Sequence, residues 1–226
     1  PKHMGELPLD LQYCSPADAL SALARNACDI AGFHLPIGTA QALNREYRKR
    51  LKPRNHQIIQ FITRRQGLMV QAGNPLGVKG LADLAEIDLR FINRQTNSGT
   101  RSLLDALLKE ADVSSVKIKG FEQVEFTHSA VAAYIAANMA DVGFGVEAAA
   151  RQFGLDFIPL ARERYVMACH KQLLNDPKFQ VFLNIIRGEE FRKAVRLLPG
   201  YSGDDCGLVS TVDETFKARE ISIYEA

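Results

Sequence analysis

The chain has 226 residues, of which 46% are apolar and 24% charged, with a net charge of +2; this is the profile of an ordinary globular protein with a sizeable core. A net charge of +2 argues neither for nor against nucleic acid, and no apolar run nears the roughly 20 residues that a membrane-spanning helix needs. The four cysteines, Cys14, Cys28, Cys169 and Cys206, have no C-x-x-C spacing, which argues against a zinc site and for buried thiols in a reducing compartment rather than disulfides.

Residues 7–14 alternate apolar and polar side chains, which predicts a strand. Ser15-Pro16 then supplies an N-cap with proline at the first helical position, and Leu20, Leu23, Ala24 and Ala27 share a helical face. Residues 29–34 predict a second short strand, closed by Pro36 and Gly38. Residues 40–52 are basic and amphipathic, with Arg45, Arg48, Lys49, Arg50 and Lys52. No aromatic interleaving accompanies them, so a solvated helix face accounts for them better than a patch for nucleic acid or an acidic partner. Strand-like stretches at 57–63 and 68–71 flank the break Arg64-Arg65-Gln66-Gly67. A turn at 74–77 and a short helix over 81–84 precede a strand at 90–93. Next come a helix over 101–110, a strand-like stretch at 116–124 with Gly120 inside it, and a Thr127-capped helix carrying Val131, Ile135, Ala136 and Met139. A strand at 141–144, a helix over 146–153, a strand at 156–160 and an extended apolar run at 165–169 follow. Two helices start from Asp176, and residues 199–226 are turn-rich and then polar without a clear period. Alternating strands and helices give the α/β class, with largely parallel sheets.

The stretch Phe91 to Arg101 reads as a strand, a tight polar turn and a helix start. Leu103, Leu104, Leu107 and Leu108 mark one face of that helix. Ser98 and Thr100 are candidate N-caps, and Gly99 lies between them. The first turn of a helix presents backbone N–H groups without partners and the positive end of the dipole, a seat for a small anion. Arg101 in that turn opposes the dipole, so it serves either a bound anion or an ion pair with Asp105 or Glu110. Arg94, on the strand before the turn, faces either a cleft or solvent.

A repeat adds partners to this turn. At a constant offset of 112 residues, Ser15 matches Thr127, Ala24 matches Ala136, Asn26 matches Asn138 and Asp29 matches Asp141. Both copies run cap, Ala/Leu-rich helix, Asn, Asp, apolar strand. The architecture this predicts is two similar lobes whose helix N-termini face a shared cleft. Ser15 and Thr127 are caps in any case, and in such a cleft their hydroxyls could also meet ligand. His34 ends a strand on the cleft side. His128 lies in a first helical turn, where the dipole disfavours the imidazolium and a neutral donor is expected. Each histidine is either such a donor or a structural residue.

The motifs Ser15-Pro16-Ala17-Asp18-Ala19-Leu20, Ala27 to His34, Phe91 to Arg94 and Asn97 to Arg101 together resemble the type II periplasmic-binding-protein fold, in its molybdate/tungstate branch with intracellular PBP-like relatives. Arg64 to Val70, Glu125 to Ala132, Ala140 to Gly145 and Leu160 to Tyr165 extend the resemblance over roughly residues 7–205. It implies one lobe from 1–71 plus 161–226 and another from 72–160, joined by crossovers that carry Arg64 and Tyr165 as cleft residues. It also implies a further strand and capped helix before residue 7, so a first strand-helix unit is expected to be missing here. The function implied is a cytoplasmic ligand-sensing domain for an oxyanion such as molybdate or tungstate, without cofactor. It would be fused to a DNA-binding domain, with a homodimer possible and no membrane contact. The alternatives are a secreted solute-binding protein of a transporter and a domain fused to a molybdopterin-biosynthesis enzyme.

No enzyme is predicted. The chain has no G-x-x-x-x-G-K-[ST], no H-E-x-x-H and no Cys/His metal cluster. Gly200-Tyr201-Ser202-Gly203-Asp204 approaches a nucleophile elbow but lacks the last glycine and the preceding strand.

Overall fold

The structure is a computed structural model that describes residues 10–217. Its elements run α1 (Pro16–Ala24), β1 (Ile30–Ile37), α2 (Gln41–Lys49), β2 (His56–Val70), α3 (Asp83–Glu86), β3 (Phe91–Arg94), α4 (Gly99–Glu110), β4 (Val124–Glu125) and α5 (His128–Ala136). Then follow β5 (Val142–Val146), α6 (Glu147–Gln152), β6 (Asp156–His170), α7 (Pro177–Arg187), α8 (Glu189–Arg196), β7 (Tyr201–Ser202), β8 (Val209–Thr211) and α9 (Val212–Lys217). The strands form one eight-stranded sheet in the order β1-β6-β2-β5-β3-β4, with β7 and β8 on β2.

The spine is the antiparallel pair β2 and β6, each of 15 residues. The first part of β2 and the last part of β6 lie beside β1, while their other ends lie beside β5. At the β1 end, Leu20, Phe33, Ile58, Val166 and Val212 fill one core cluster. At the other end, β3 and β5 carry a second core on α4 and a third on α5 and α6. The α/β class with helices on both sides of a curled sheet is therefore as expected. The largely parallel sheet is not: among the described residues only β3 pairs in parallel, with β4 and β5, and the other pairings are antiparallel. Each long strand passes once from one end of the sheet to the other, so it meets the strands at both ends in the opposite sense.

Four strand assignments change, the first being that the strand at 156–160 and the extended run at 165–169 join into the single strand β6. The expected break at residues 64–67 is absent, because Arg64 and Gln66 look like turn residues only when read in isolation; in β2 they are directed to buried partners. The stretch at 116–124 is a single 3₁₀ turn at Ser115–Lys117 followed by turns, with a strand only at Val124–Glu125. Gly120 there has φ +88, and a Cβ would lie 2.3 Å from the Phe91 carbonyl oxygen, so the chain bends where a strand would have continued. Of the strand expected over 7–14, residues 7–9 lie outside the described residues, and residues 10–14 form no strand with any described residue, Tyr13 being 91% exposed. The tail beyond residue 217 likewise lies outside the described residues.

The repeat is realised in the backbone. α1 and α5 are both 9 residues long and start and end at the same 112-residue offset, Pro16 to His128 and Ala24 to Ala136. Ser15 and Thr127 cap them through the amides of Asp18 and Ala130. Asn26 and Asn138 both take φ 58, the left-handed stop that asparagine tolerates better than other side chains. The strands β1 and β5 then start at Ile30 and Val142.

Candidate functional site

Arg64 and Glu163 are cross-strand partners near the middle of β2 and β6. The Arg64 Nε donates to Glu163 Oε1 at 2.5 Å, and Gln66 Nε2 donates to the same oxygen at 2.7 Å. The Glu163 side chain is 1% exposed and that of Arg64 12%. Burial would raise the Glu163 pKa, but the charges of Arg64 and His34 and the hydrogen bonds from Arg64 and Gln66 outweigh it and hold the carboxyl below its usual range. Gln66 Nε2 also lies 3.3 Å from Thr100 Oγ1, which ties the ion pair to the first turn of α4. The Tyr201 hydroxyl faces the Arg64 guanidinium as well.

Helix starts converge on this pair. A Cβ on Gly99 would lie 3.5 Å from both His34 Nδ1 and Pro16 Cγ, so α1, α4 and His34 meet there. The His34 ring lies against Tyr165 at 4.6 Å, and its Nε2 is 3.9 Å from Glu163 Oε1. Burial, reinforced by the Arg64 charge and opposed by Glu163, lowers the His34 pKa to about 3. His128 opens α5, with its Nδ1 3.0 Å from where a Cβ on Gly145 would stand. Burial, then the charges of Arg64, Arg94 and His34, keep its pKa well below the usual value. Both imidazoles are therefore neutral at pH 7.

Arg94 decides the character of the site. It is 8% exposed, its Nε donates to Gln95 Oε1 at 3.1 Å and its Nη2 to the Phe126 carbonyl at 3.0 Å. Among the described residues it has no carboxylate partner. Burial and the nearby Arg64 charge lower its pKa, the mark of a cation without a counter-charge. Arg64 and Arg94 against Glu163 leave one buried positive charge in excess.

The remaining candidates are placed as follows. Arg101 turns away: its Nε donates to Asp105 Oδ1 at 2.9 Å, its Nη2 lies 3.9 Å from Glu122, and its guanidinium stacks on Phe121 at 4.1 Å. The hydroxyls of Ser15, Ser98 and Thr127 accept from the amides of their own helices. Tyr165 reaches over Gly32, where a Cβ would collide with its hydroxyl. Glu163, Gln66 and Tyr201 escaped the sequence reading. Glu163 stands between Arg162 and Arg164, and such a charged run reads as solvated until its strand is known to be central.

One further contact ties the two ends of the sheet. Glu110, at the end of α4, accepts from Thr39 Oγ1 at 2.5 Å and from the Ala40 amide at 3.1 Å, capping α2 from the other side of the molecule. Glu110→Ala is expected to cost about 1–2 kcal/mol in urea unfolding and to speed hydrogen exchange at Ala40. An unchanged Ala40 exchange rate would show that the contact does not form in solution.

The model of the family described as PBP superfamily domain matches residues 2–187. The chain belongs to that family. Protein YvgK of Bacillus subtilis (strain 168), described as uncharacterized, is 32% identical over 197 residues, covering 87% of this chain and 63% of YvgK. This chain thus spans less than two thirds of that relative. A phosphate transport receptor of Vibrio cholerae has the same fold, with a TM-score of 0.60 at 14% identity over 88% of this chain and 89% of the receptor. So does OxyR of Corynebacterium glutamicum, with a TM-score of 0.56 at 15% identity over 81% of this chain and 55% of OxyR. These matches establish the two-lobed architecture of a ligand-binding PBP-like domain. Among the described residues no helix is long and apolar enough to cross a membrane, and no group of three or more His, Cys, Asp or Glu residues could hold a metal ion.

The neutral histidines have a consequence for acid stability. The unfolded chain protonates both near pH 6.5 while the folded chain resists it, so their contribution to stability is complete above that value and falls as pH drops, for His34 down to about 3. His34 accounts for at most about 1.4 kcal/mol of that fall per pH unit. Urea unfolding of His34→Asn between pH 7 and pH 4 should show a shallower decline than the parent; an equal slope would mean that His34 already carries its proton.

Proposed function

We propose that this PBP-like domain closes on a small oxyanion between two lobes, 1–71 with 161–226 and 72–160, and performs no chemistry on it. The observation that carries this reading is Arg94, a buried cation hydrogen-bonded, among the described residues, to neutral oxygens alone, within the field of an Arg64 that Glu163 already neutralises. An anion seated at the start of α4, flanked by the openings of α1 and α5 and by two neutral histidines, would supply the missing charge. Closure follows if the anion binds the closed arrangement more tightly than the open one.

The wider role proposed is sensing within a cytoplasmic regulator that carries a DNA-binding domain and dimerises. The buried thiols of Cys169 and Cys206, both pushed up to about 11 by burial, suit a reducing compartment. The likeness to OxyR supports the same role, whereas the likeness to a transport receptor supports the second reading, delivery to a transporter. The complete open reading frame separates them by an upstream helix-turn-helix or a signal peptide.

Thermal unfolding of the full chain with molybdate, tungstate, sulfate, phosphate and arsenate tests the oxyanion reading. At least one should raise the Tm in a saturable manner. No shift with any of the five would overturn it.

A further inference from the structure

We infer that a second binding site lies where β2 stops and β5 begins, and that its ligand is a small uncharged ring bearing an N–H beside a C=O, as in a lactam. A cavity of about 110 Å³ opens there. It is separate from the helix starts that face Arg64 and Arg94. Val142 lines the cavity, whereas Gly145, about 10 Å further along β5, stands beside His128. Helix α5 spans the same gap, with His128 at its start and Asn138 just past its end. The cavity floor is apolar and buried, formed by Val70, Val78 and Val142, and the exposed turn at Pro75 and Leu76 makes one lip.

Most of the polar lining is already engaged. Among the described residues that line the cavity only Asp141 is charged, and Arg90 takes both its oxygens: Nη2 donates to Oδ1, while Nε and the main-chain amide donate to Oδ2. A charged ligand therefore finds no open counter-charge there. Asn74 uses both ends of its amide on the Val78 main chain. Gln71 and Asn138 differ. Gln71 Nε2 donates to the Ile135 carbonyl at 3.2 Å and to Asn138 Oδ1 at 3.0 Å, and that oxygen also accepts from Arg90 Nη2 at 3.1 Å. Flipping either amide would set acceptor on acceptor or donor on donor, so both orientations are fixed. Gln71 Oε1 and Asn138 Nδ2 are left over, one acceptor and one donor, with no partner among the described residues. Size and polarity together define the ligand class. An engineered cavity of about 150 Å³ holds benzene, so this one, open at its lip, suits a single ring. A ring N–H satisfies Gln71 Oε1, an adjacent C=O satisfies Asn138 Nδ2, and the ring face rests on the valines. A hydrocarbon ring would cover both amides without satisfying them.

The test is a titration of the isotope-labelled full chain, followed by the NMR shifts of its amides, with 2-pyridone as the six-membered lactam. Saturable shifts are expected at Gly73, Leu76 and Gly143, with a Kd of about 1 mM for so small a ligand, and none at Ser98 to Arg101. N-methyl-2-pyridone keeps the C=O but has no N–H to give Gln71, and should bind about tenfold more weakly. Gln71→Met removes the acceptor at constant length and should bring the two ligands to within about twofold of each other. The inference is overturned if 2-pyridone gives no saturable shift, if its shifts centre on Ser98 to Arg101, or if the parent chain binds both lactams equally. The parent comparison decides the matter without the variant, should Gln71→Met fold poorly. None of these results bears on the oxyanion reading, which concerns the opposite end of α5.

Discussion

Arg94→Met is expected to remove oxyanion binding and leave the fold about as stable as before. The guanidinium lies buried near Arg64 without a carboxylate, so its charge costs desolvation that two neutral hydrogen bonds only partly offset. Methionine keeps the apolar stem and its packing. Losing one partner of a buried charge pair in the bound state corresponds to about 2–5 kcal/mol, or a weakening of about thirtyfold or more. Calorimetry with whichever oxyanion stabilises the parent, set beside urea unfolding of the empty chain, checks the split. Stability should move by no more than about 1 kcal/mol. A loss of stability equal to the loss of affinity would mean that Arg94 is a structural residue, satisfied by Gln95 and Phe126.

Glu163→Ala should behave in the opposite way, with its main effect on the fold. It strands Arg64 beside Arg94 and withdraws the acceptor that Gln66 Nε2 uses. Breaking a buried ion pair from one side costs about 3–5 kcal/mol, because the remaining charge stays buried and uncompensated. Replacing both partners, Arg64→Met with Glu163→Leu, should recover most of that loss, since neither desolvated charge then remains. The double-mutant cycle in urea measures the coupling; additive losses would show that the two residues do not act as a pair. The sign with pH follows from the depressed Glu163 pKa. Its contribution is complete above the ordinary carboxylate range and is lost as pH falls through the lower folded value.

These two effects separate because Glu163 and Arg94 stand differently toward charge. Glu163 is already matched, so removing it unbalances the empty protein. Arg94 is unmatched, so removing it relieves the empty protein and unbalances the complex. The same asymmetry makes Arg64 a poor probe of binding, since any change there disturbs fold and site together.

Much of this was legible in order along the chain. Ser15, Ser98 and Thr127 as caps, the helices they start, and the offset linking Asn26 to Asn138 all follow from interactions within a few residues. A capping hydroxyl needs only the next turn, and a left-handed stop needs only its own φ. The family resemblance implied Arg64 and Tyr165 as cleft residues, while Arg94, His34 and His128 stayed open between a cleft role and a structural one. The misreadings arose where one residue type serves two environments. Arg64 to Gly67 looked like a break because charged and polar side chains are usually solvated, and of the two roles open to Arg101 the ion pair with Asp105 is the one present here. In the structure Arg64 and Gln66 are buried against Glu163, while Arg101 lies on Phe121.

By itself, then, the sequence determined the local grammar: where helices start and stop, and which stretches repeat. Capping, backbone conformation and periodicity act over three or four residues and leave their mark in every copy of a motif. Only the tertiary structure decided which charges neutralise each other. Arg64 and Glu163 lie 99 positions apart and meet because β2 and β6 pair along their whole length, whereas Arg94 is carried on a separate strand and meets no acid among the described residues. Buried charge is a property of the pairing of distant strands, and the unmatched charge on Arg94 can be seen only once that pairing is known.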